Sequence, residues 1–151
     1  MDITHLLKGR EFLSVGTADL GGKPNAAPKF FLKYHKPHIY LIDYSFATTT
    51  GNLRENPRAS LSFMDLENLA GYRLYGSVEL IESGPEFHQI AKEVEKKALQ
   101  LSATRVIEAS RTGKKYEHFE LEMPDKFVAI KFRIEESTKI GPRGDFYREK
   151  E

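Results

Sequence analysis

The chain predicts a mainly β domain: a small antiparallel barrel of six strands with helices added. Three observations predict it. Apolar residues alternate with polar ones in short runs at 11–18, 25–34, 38–44, 58–66, 72–82 and 127–140, the two-residue period of half-buried strands. The joints between the first three runs are short and rich in turn residues, so those strands form an antiparallel meander and not βαβ units. Only at 83–101 does the period change to three and four residues, through Phe87, Ile90, Ala91, Val94, Ala98 and Leu101, the mark of an amphipathic helix. A barrel is the closed form that removes the sheet edges such a set of strands would leave.

Each element has its own signal. Residues 2–10 predict a short opening helix, with Asp2 at its N-cap and Gly9 near its end. The strand 11–18 directs Phe12 or Leu13 inward. Asp19, Gly21, Gly22 and Pro24 then supply the backbone angles of a tight hairpin. Pro28 lies inside the second strand, where it cannot donate a ladder bond, and marks a bulge or an edge. Phe30 and Phe31 fall on opposite faces of that strand, one in the core and one toward a ligand or a second subunit. After the third strand a small-polar turn with Ser45, Thr48, Thr49 and Thr50 opens a short helix that stops at Asn56-Pro57.

In the fourth strand Ala59, Leu61 and Phe63 share a face. Tyr72 and Arg73 begin the fifth, by default at the surface and otherwise in a cleft between subunits. Ser83, Pro85 and Glu86 make a helix-start signature. A second, shorter helical piece is expected at 104–111, ending near Gly113. The domain is expected to span 1–140, and residues 141–151 to form a polar, Gly-rich tail.

Composition narrows the function. The 151 residues are 40% apolar and 30% charged, the profile of one globular domain able to bury its own core. Lys+Arg 23 against Asp+Glu 22 lacks the basic excess of a dedicated nucleic-acid binder. No apolar run approaches the ~18 residues of a membrane span. The opening MDITHLLKGREF lacks the basic-then-apolar layout of a signal peptide, and a cytoplasmic location is expected. Without cysteine there are no disulfides, thiolate ligands or cysteine nucleophiles. His5, His35, His38, His88 and His118 do not fall at metal-ligand spacing, so no metal site is expected. There is no G-x-S-x-G element of a serine hydrolase and no carboxylate pair placed for acid–base work. No side chain is assigned a catalytic role.

The turn into the short helix carries the chemistry. Hydroxyls and free backbone N–H groups at a helix start converge on an anion, and this turn reads as the phosphate end of a cofactor site. The competing reading is that the threonines only cap the helix. Likewise Lys29 could be a solvated strand lysine, and Tyr44 a half-buried anchor with a wet hydroxyl.

Three stretches, FLSVGTADLGGKPNAAPKFF, IYLIDYSFATTTGNLRENPRASLSF and YRLYGSVELIESGPEF, stand in an order and spacing that resembles the FMN-binding split barrels related to pyridoxamine 5'-phosphate oxidase. With the closing strand the resemblance reaches about residue 140. It implies a six-stranded antiparallel split barrel, a homodimer, and FMN at the subunit interface. Lys29 and Phe30 would flank the isoalloxazine or ribityl chain. Asp43, Tyr44 and Ser45 would lie along the flavin, Thr48 and Thr49 at its phosphate, and Asn52 nearby. It also implies an oxidoreductase that passes electrons or hydride between bound flavin and a small molecule.

Many such proteins carry a cation where this chain has Thr48-Thr49. A substitute would come from Lys29, Lys33, Arg54, Arg73 or Arg143. Deazaflavin, haem and a non-enzymatic ligand-binding dimer are the alternatives.

Overall fold

The computed structural model describes residues 1–116 and 126–151, so His118 lies outside the described residues. The elements run α1 (Thr4–Leu7), β1 (Phe12–Ala18), β2 (Pro24–His35), β3 (His38–Asp43), α2 (Thr48–Glu55), β4 (Arg58–Asp65), β5 (Ala70–Ile81), α3 (Gly84–Thr112), β6 (Val128–Ile140) and β7 (Phe146–Lys150). Two compact units result, Met1–Ile81 with Phe127–Glu151, and Glu82–Lys126.

The first unit is the barrel. Its strands follow the order β3-β2-β1-β4-β5-β6, and an antiparallel β3–β6 pairing closes the ring. Alternation decides which side chains fill it. Leu13 and Val15 of β1, Leu41 of β3, Leu61 and Phe63 of β4, Leu74 of β5 and Ile130 and Phe132 of β6 form one buried cluster. Phe12 points outward, so Leu13 is the inward residue of its pair.

The β1–β2 hairpin turns on Gly22, whose positive φ of 84° few other residues adopt. Pro28 pairs with Ser14 of β1 at a stretch of β2 ahead of its pairing with β3, a local edge where no ladder bond is lost. Phe31 enters the core, while Phe30 is buried on the opposite face with its ring edge-on to Phe12 at 5.9 Å. Tyr72, expected at the surface, is buried, and its ring stacks on Phe63 at 5.2 Å. It shares the inward face of β5 with Leu74, which leaves no outward orientation open to it.

The segment expected as a polar tail carries a seventh strand. β7 pairs with Glu136–Ile140 of β6, along the same edge that β3 occupies further back. Its Phe146 and Tyr147 stay exposed. Backbone pairing and an Arg148–Glu136 ion pair at 3.2 Å hold the strand, so no buried apolar alternation announces it.

The second unit contains α3, which is continuous where two helices were expected. No Pro or Gly interrupts 100–111, and the hydroxyls of Ser102 and Thr104 donate to the carbonyls of Ala98 and Gln100 four residues back, within the helix. The helix starts after Ser83, whose side chain makes no cap bond, and ends on Gly113 in the left-handed conformation. Ile90, Val94 and Ala98 are its buried residues, every fourth position of one stripe. Among the described residues no helix is long and apolar enough to cross a membrane.

One core position gives a direct check on this packing. Leu61 is fully buried at the centre of β4. Leu61→Ala is expected to cost about 2–5 kcal/mol in urea unfolding, the range for a deleted core leucine.

Candidate functional site

One end of the barrel is closed by polar side chains. Lys29 of β2 shares the inward face with Leu13's neighbours, being paired in register with Leu13, and Asp43 ends β3 on the same side as Leu41. Both are buried, and the Lys29 Nζ donates to Asp43 Oδ1 at 3.0 Å. The same carboxylate accepts the Ser45 amide at 3.0 Å, the Ser45 hydroxyl at 2.7 Å and, on Oδ2, the Thr50 hydroxyl at 2.6 Å. Lys29 Nζ also donates to Ser45 Oγ at 3.1 Å. A buried carboxylate with four donors, one of them a neutralising ammonium, is satisfied in the way such a group requires.

The electrostatics follow. Burial pushes the Asp43 pKa up, but the hydrogen bonds from Thr50, Ser45 and Lys29 outweigh it and hold the carboxyl below its ordinary value of 3.8. A folded-state pKa below the unfolded one gives stability that is present above the unfolded value and lost as pH falls through the folded value. Stability is therefore expected to decline below roughly pH 4. Asp43→Asn should flatten part of that decline in urea midpoints taken across the acid range. An unaltered slope would contradict the pairing.

Two further bonds fasten α2 to β1 and β2. Asn25 Nδ2 donates to Thr49 Oγ1 at 3.2 Å, and Asn52 Nδ2 donates to Thr17 Oγ1 at 3.1 Å. Thr49, Thr50 and Asn52 thus face the barrel end and are buried. The N-cap position belongs to Ala47 and carries no side-chain cap bond, so the threonines do not cap the helix. The first helical bond runs from the Gly51 N–H to the Ala47 carbonyl, which leaves the amides of Thr48, Thr49 and Thr50 without a partner in the helix.

Above this plug the bend 44–48 is exposed. It presents Tyr44, Ser45 and Thr48, together with Phe46, which is half exposed and held at φ 52°, a left-handed conformation uncommon for a residue with a β-carbon. Phe46 was not marked by any sequence signal, since nothing in the chain around it distinguishes an outward aromatic from a core one.

Beside α2 lies a cleft of about 620 Å³, lined by Thr17, Asn25, Asn56, Arg58, Ser60 and Tyr75 among others. Its size falls within the range of small-molecule sites. Arg58 is ion-paired with Glu135, at 3.1 and 2.8 Å. None of the eight residues singled out in the sequence lines this cleft. Thr49 and Asn52 stand behind its wall, each through the partner that does line it, Asn25 and Thr17. The structure therefore gathers Lys29, Asp43 and Ser45 into one network and leaves Tyr44 and Thr48 on the open bend. It sets Phe30 apart, against Phe12.

The proposed substitute cations are variously placed. Lys29 is bound to Asp43, Lys33 Nζ lies 4.7 Å from the Tyr40 ring, and Arg73 lies 4.8 Å from the Tyr75 ring. Arg143 is exposed in the turn before β7, and Arg54 is exposed in the last turn of α2. Among the described residues no group of three His, Asp or Glu side chains could hold a metal ion.

A family model described as pyridoxamine 5'-phosphate oxidase matches residues 2–140. The chain belongs to the pyridoxamine 5'-phosphate oxidase family. No curated protein matches the sequence. Among solved structures it is similar to a Clostridium acetobutylicum protein related to general stress protein 26 of B. subtilis, of the pyridoxinephosphate oxidase family. The TM-score is 0.67 at 17% identity, over 97% of this chain and 89% of that one. A pyridoxamine 5'-phosphate oxidase-related, FMN binding protein from Nostoc punctiforme gives 0.56 at 11% identity, over 98% and 91%. A heme binding protein from Mycobacterium smegmatis gives 0.60 at 17% identity, over 93% of this chain and 53% of that one. At these identities the likeness to solved structures establishes the barrel fold.

Proposed function

We propose that this family member is an FMN-binding flavoprotein, working in the cytoplasm as a homodimer with the cofactor at the subunit interface. It would pass electrons or hydride between the flavin and a small molecule. The observation that carries the reading is the exposed bend 44–48, held from below by the Asp43 network at the start of α2. The residues fit the group. The amides of Thr48–Thr50, which have no partner in the helix, and the hydroxyl of Thr48 suit an anionic tail, and the aromatic rings of Tyr44 and Phe46 suit a planar one.

Lys29, Asp43, Thr49 and Asn52 would then serve by holding the bend and α2 in place. Phe30 would shape the strand beside them. The outer face of β1, β2 and β4 carries Ser14, Gly16, Ala26, Ser60 and Ser62 in register, small residues that let a second chain approach closely. When bound, the flavin supplies the redox chemistry, and the protein supplies orientation, hydrogen bonds and exclusion of water.

A haem-binding reading draws on the Mycobacterium smegmatis neighbour. The cleft beside α2 offers Tyr75 as an oxygen ligand but neither His nor Met. Titration of the purified protein with FMN, followed by flavin fluorescence, tests the proposal. Thr48→Ala is expected to weaken binding by about 1.5–3 kcal/mol, the range for a hydrogen bond to a charged acceptor. Unchanged affinity would remove the phosphate from the bend, and a Soret band in the visible spectrum would replace flavin by haem.

A further inference from the structure

A cavity of about 630 Å³ lies far from the bend, at the other end of β6. Val128 pairs with Asp43 at the start of that strand, and Lys139 lines the cavity near its finish, roughly 35 Å of strand away. Tyr72, Lys139 and Tyr147 stand in one register row across β5, β6 and β7, and all three line it. Two tyrosines thus flank one lysine on neighbouring strands. Tyr72 is only 7% exposed, with its ring on Phe63, yet its hydroxyl makes no hydrogen bond among the described residues and opens on the cavity. A hydroxyl held that deep calls for a partner. The Lys139 ammonium, 6.0 Å from the Tyr72 ring, has no ion pair among the described residues.

Acids line the same cavity. Asp65 is engaged by the amides of Glu67 and Asn68 and by the Asn68 side chain, and Asp2 by the Thr4 amide. Asp145 accepts no hydrogen bond among the described residues, and its carboxylate rests over Gly141, where any β-carbon would collide with it. The Met1 amine, also there, is already paired with Glu149.

The geometry points to a binding site for an amino-acid zwitterion. Its carboxylate accepts from Tyr72, Lys139 and Tyr147, and its ammonium donates to Asp145, with Asp2 adding negative charge beside it. A simple anion would meet three carboxylates in this cavity, and a simple cation would meet the Lys139 ammonium. A ligand carrying both charges gives each pole its complement. The volume falls within the range of small-molecule sites. The site is separate from the bend 44–48 and independent of the flavin reading.

Calorimetric titration of the full chain with each common protein amino acid in turn tests this. At least one should bind saturably. Its N-acetyl derivative, which lacks the ammonium, and its amide, which lacks the carboxylate, should each bind more weakly by about tenfold or more. Tyr72→Phe deletes only the hydroxyl and keeps the ring against Phe63. That variant and Lys139→Met should each weaken binding of the free amino acid by about tenfold or more, the loss for a hydrogen bond to a charged group. Failure of every amino acid to bind overturns the inference. So does binding that both substitutions leave unchanged, or an acetylated form that binds as tightly as the free one. The comparison of free, acetylated and amidated ligands uses the wild type alone and decides the matter even where a variant fails to fold.

Discussion

Gly76→Ala is expected to abolish the barrel. A β-carbon at this position of β5 would stand 1.8 Å from the Arg133 carbonyl oxygen, 2.9 Å from its carbon and 3.0 Å from the Phe132 ring. Two of these are backbone atoms of β6, so no rotamer change relieves the clash. Gly76 also follows the register shift between Tyr75 and Gly76, where β5 bends against β6. A bulge brings backbones close, and only glycine fits where they touch. Because β6 pairs with both β3 and β5, separating it here opens the ring on two sides. A loss of about 4 kcal/mol or more is expected, at the far end of single-residue effects. Insoluble expression or a collapsed urea midpoint would show it. A variant within about 1 kcal/mol of the wild type would mean that the two strands do not meet as described.

The second large effect is expected at Asp43→Ala. Removing this carboxylate leaves the Lys29 ammonium, the Thr50 hydroxyl and the Ser45 amide without their shared acceptor inside the barrel end. Breaking a buried pair by deleting one partner costs about 3–5 kcal/mol, because the remaining charge is stranded. Replacing both partners by apolar residues strands nothing. Lys29→Met/Asp43→Leu should recover much of the loss, although Thr50 and Ser45 still lose a partner. Urea unfolding of the three proteins separates the outcomes. A double variant no more stable than Asp43→Ala would place the cost in the hydrogen bonds to Ser45 and Thr50 and not in the stranded charge.

Much of the fold was legible because local chemistry and global packing agree in it. The β1–β2 hairpin follows from Asp19, Gly21 and Gly22, and the inward set Ala59, Leu61 and Phe63 from simple alternation. Ser83 and Gly113 stand at the ends of α3 as a helix start and stop should. β7 was not legible. Its aromatic residues are exposed, and what holds it is main-chain pairing, which leaves little trace in side-chain pattern.

The site was half legible. The polar residues clustered in the turn before α2 marked the segment that the Asp43 network holds, and Lys29 and Asp43 were both singled out. That they bind each other was hidden. They lie 14 residues apart on different strands, and each alone reads as a polar residue available to a ligand. Only the pairing of β2 with β3 brings them to one end of the barrel. The same holds for Asn25 with Thr49 and Thr17 with Asn52, pairs separated by 24 and 35 residues. Hydrogen-bond acceptors can be proposed from sequence, but whether another side chain has already taken them depends on the fold.

A crystal structure of the protein grown with FMN tests the central claim most directly. The phosphate is expected within hydrogen-bond distance of the Thr48 amide and hydroxyl at the start of α2, with Lys29 still bound to Asp43 beneath it. A flavin bound elsewhere, with the bend 44–48 left bare, would contradict it.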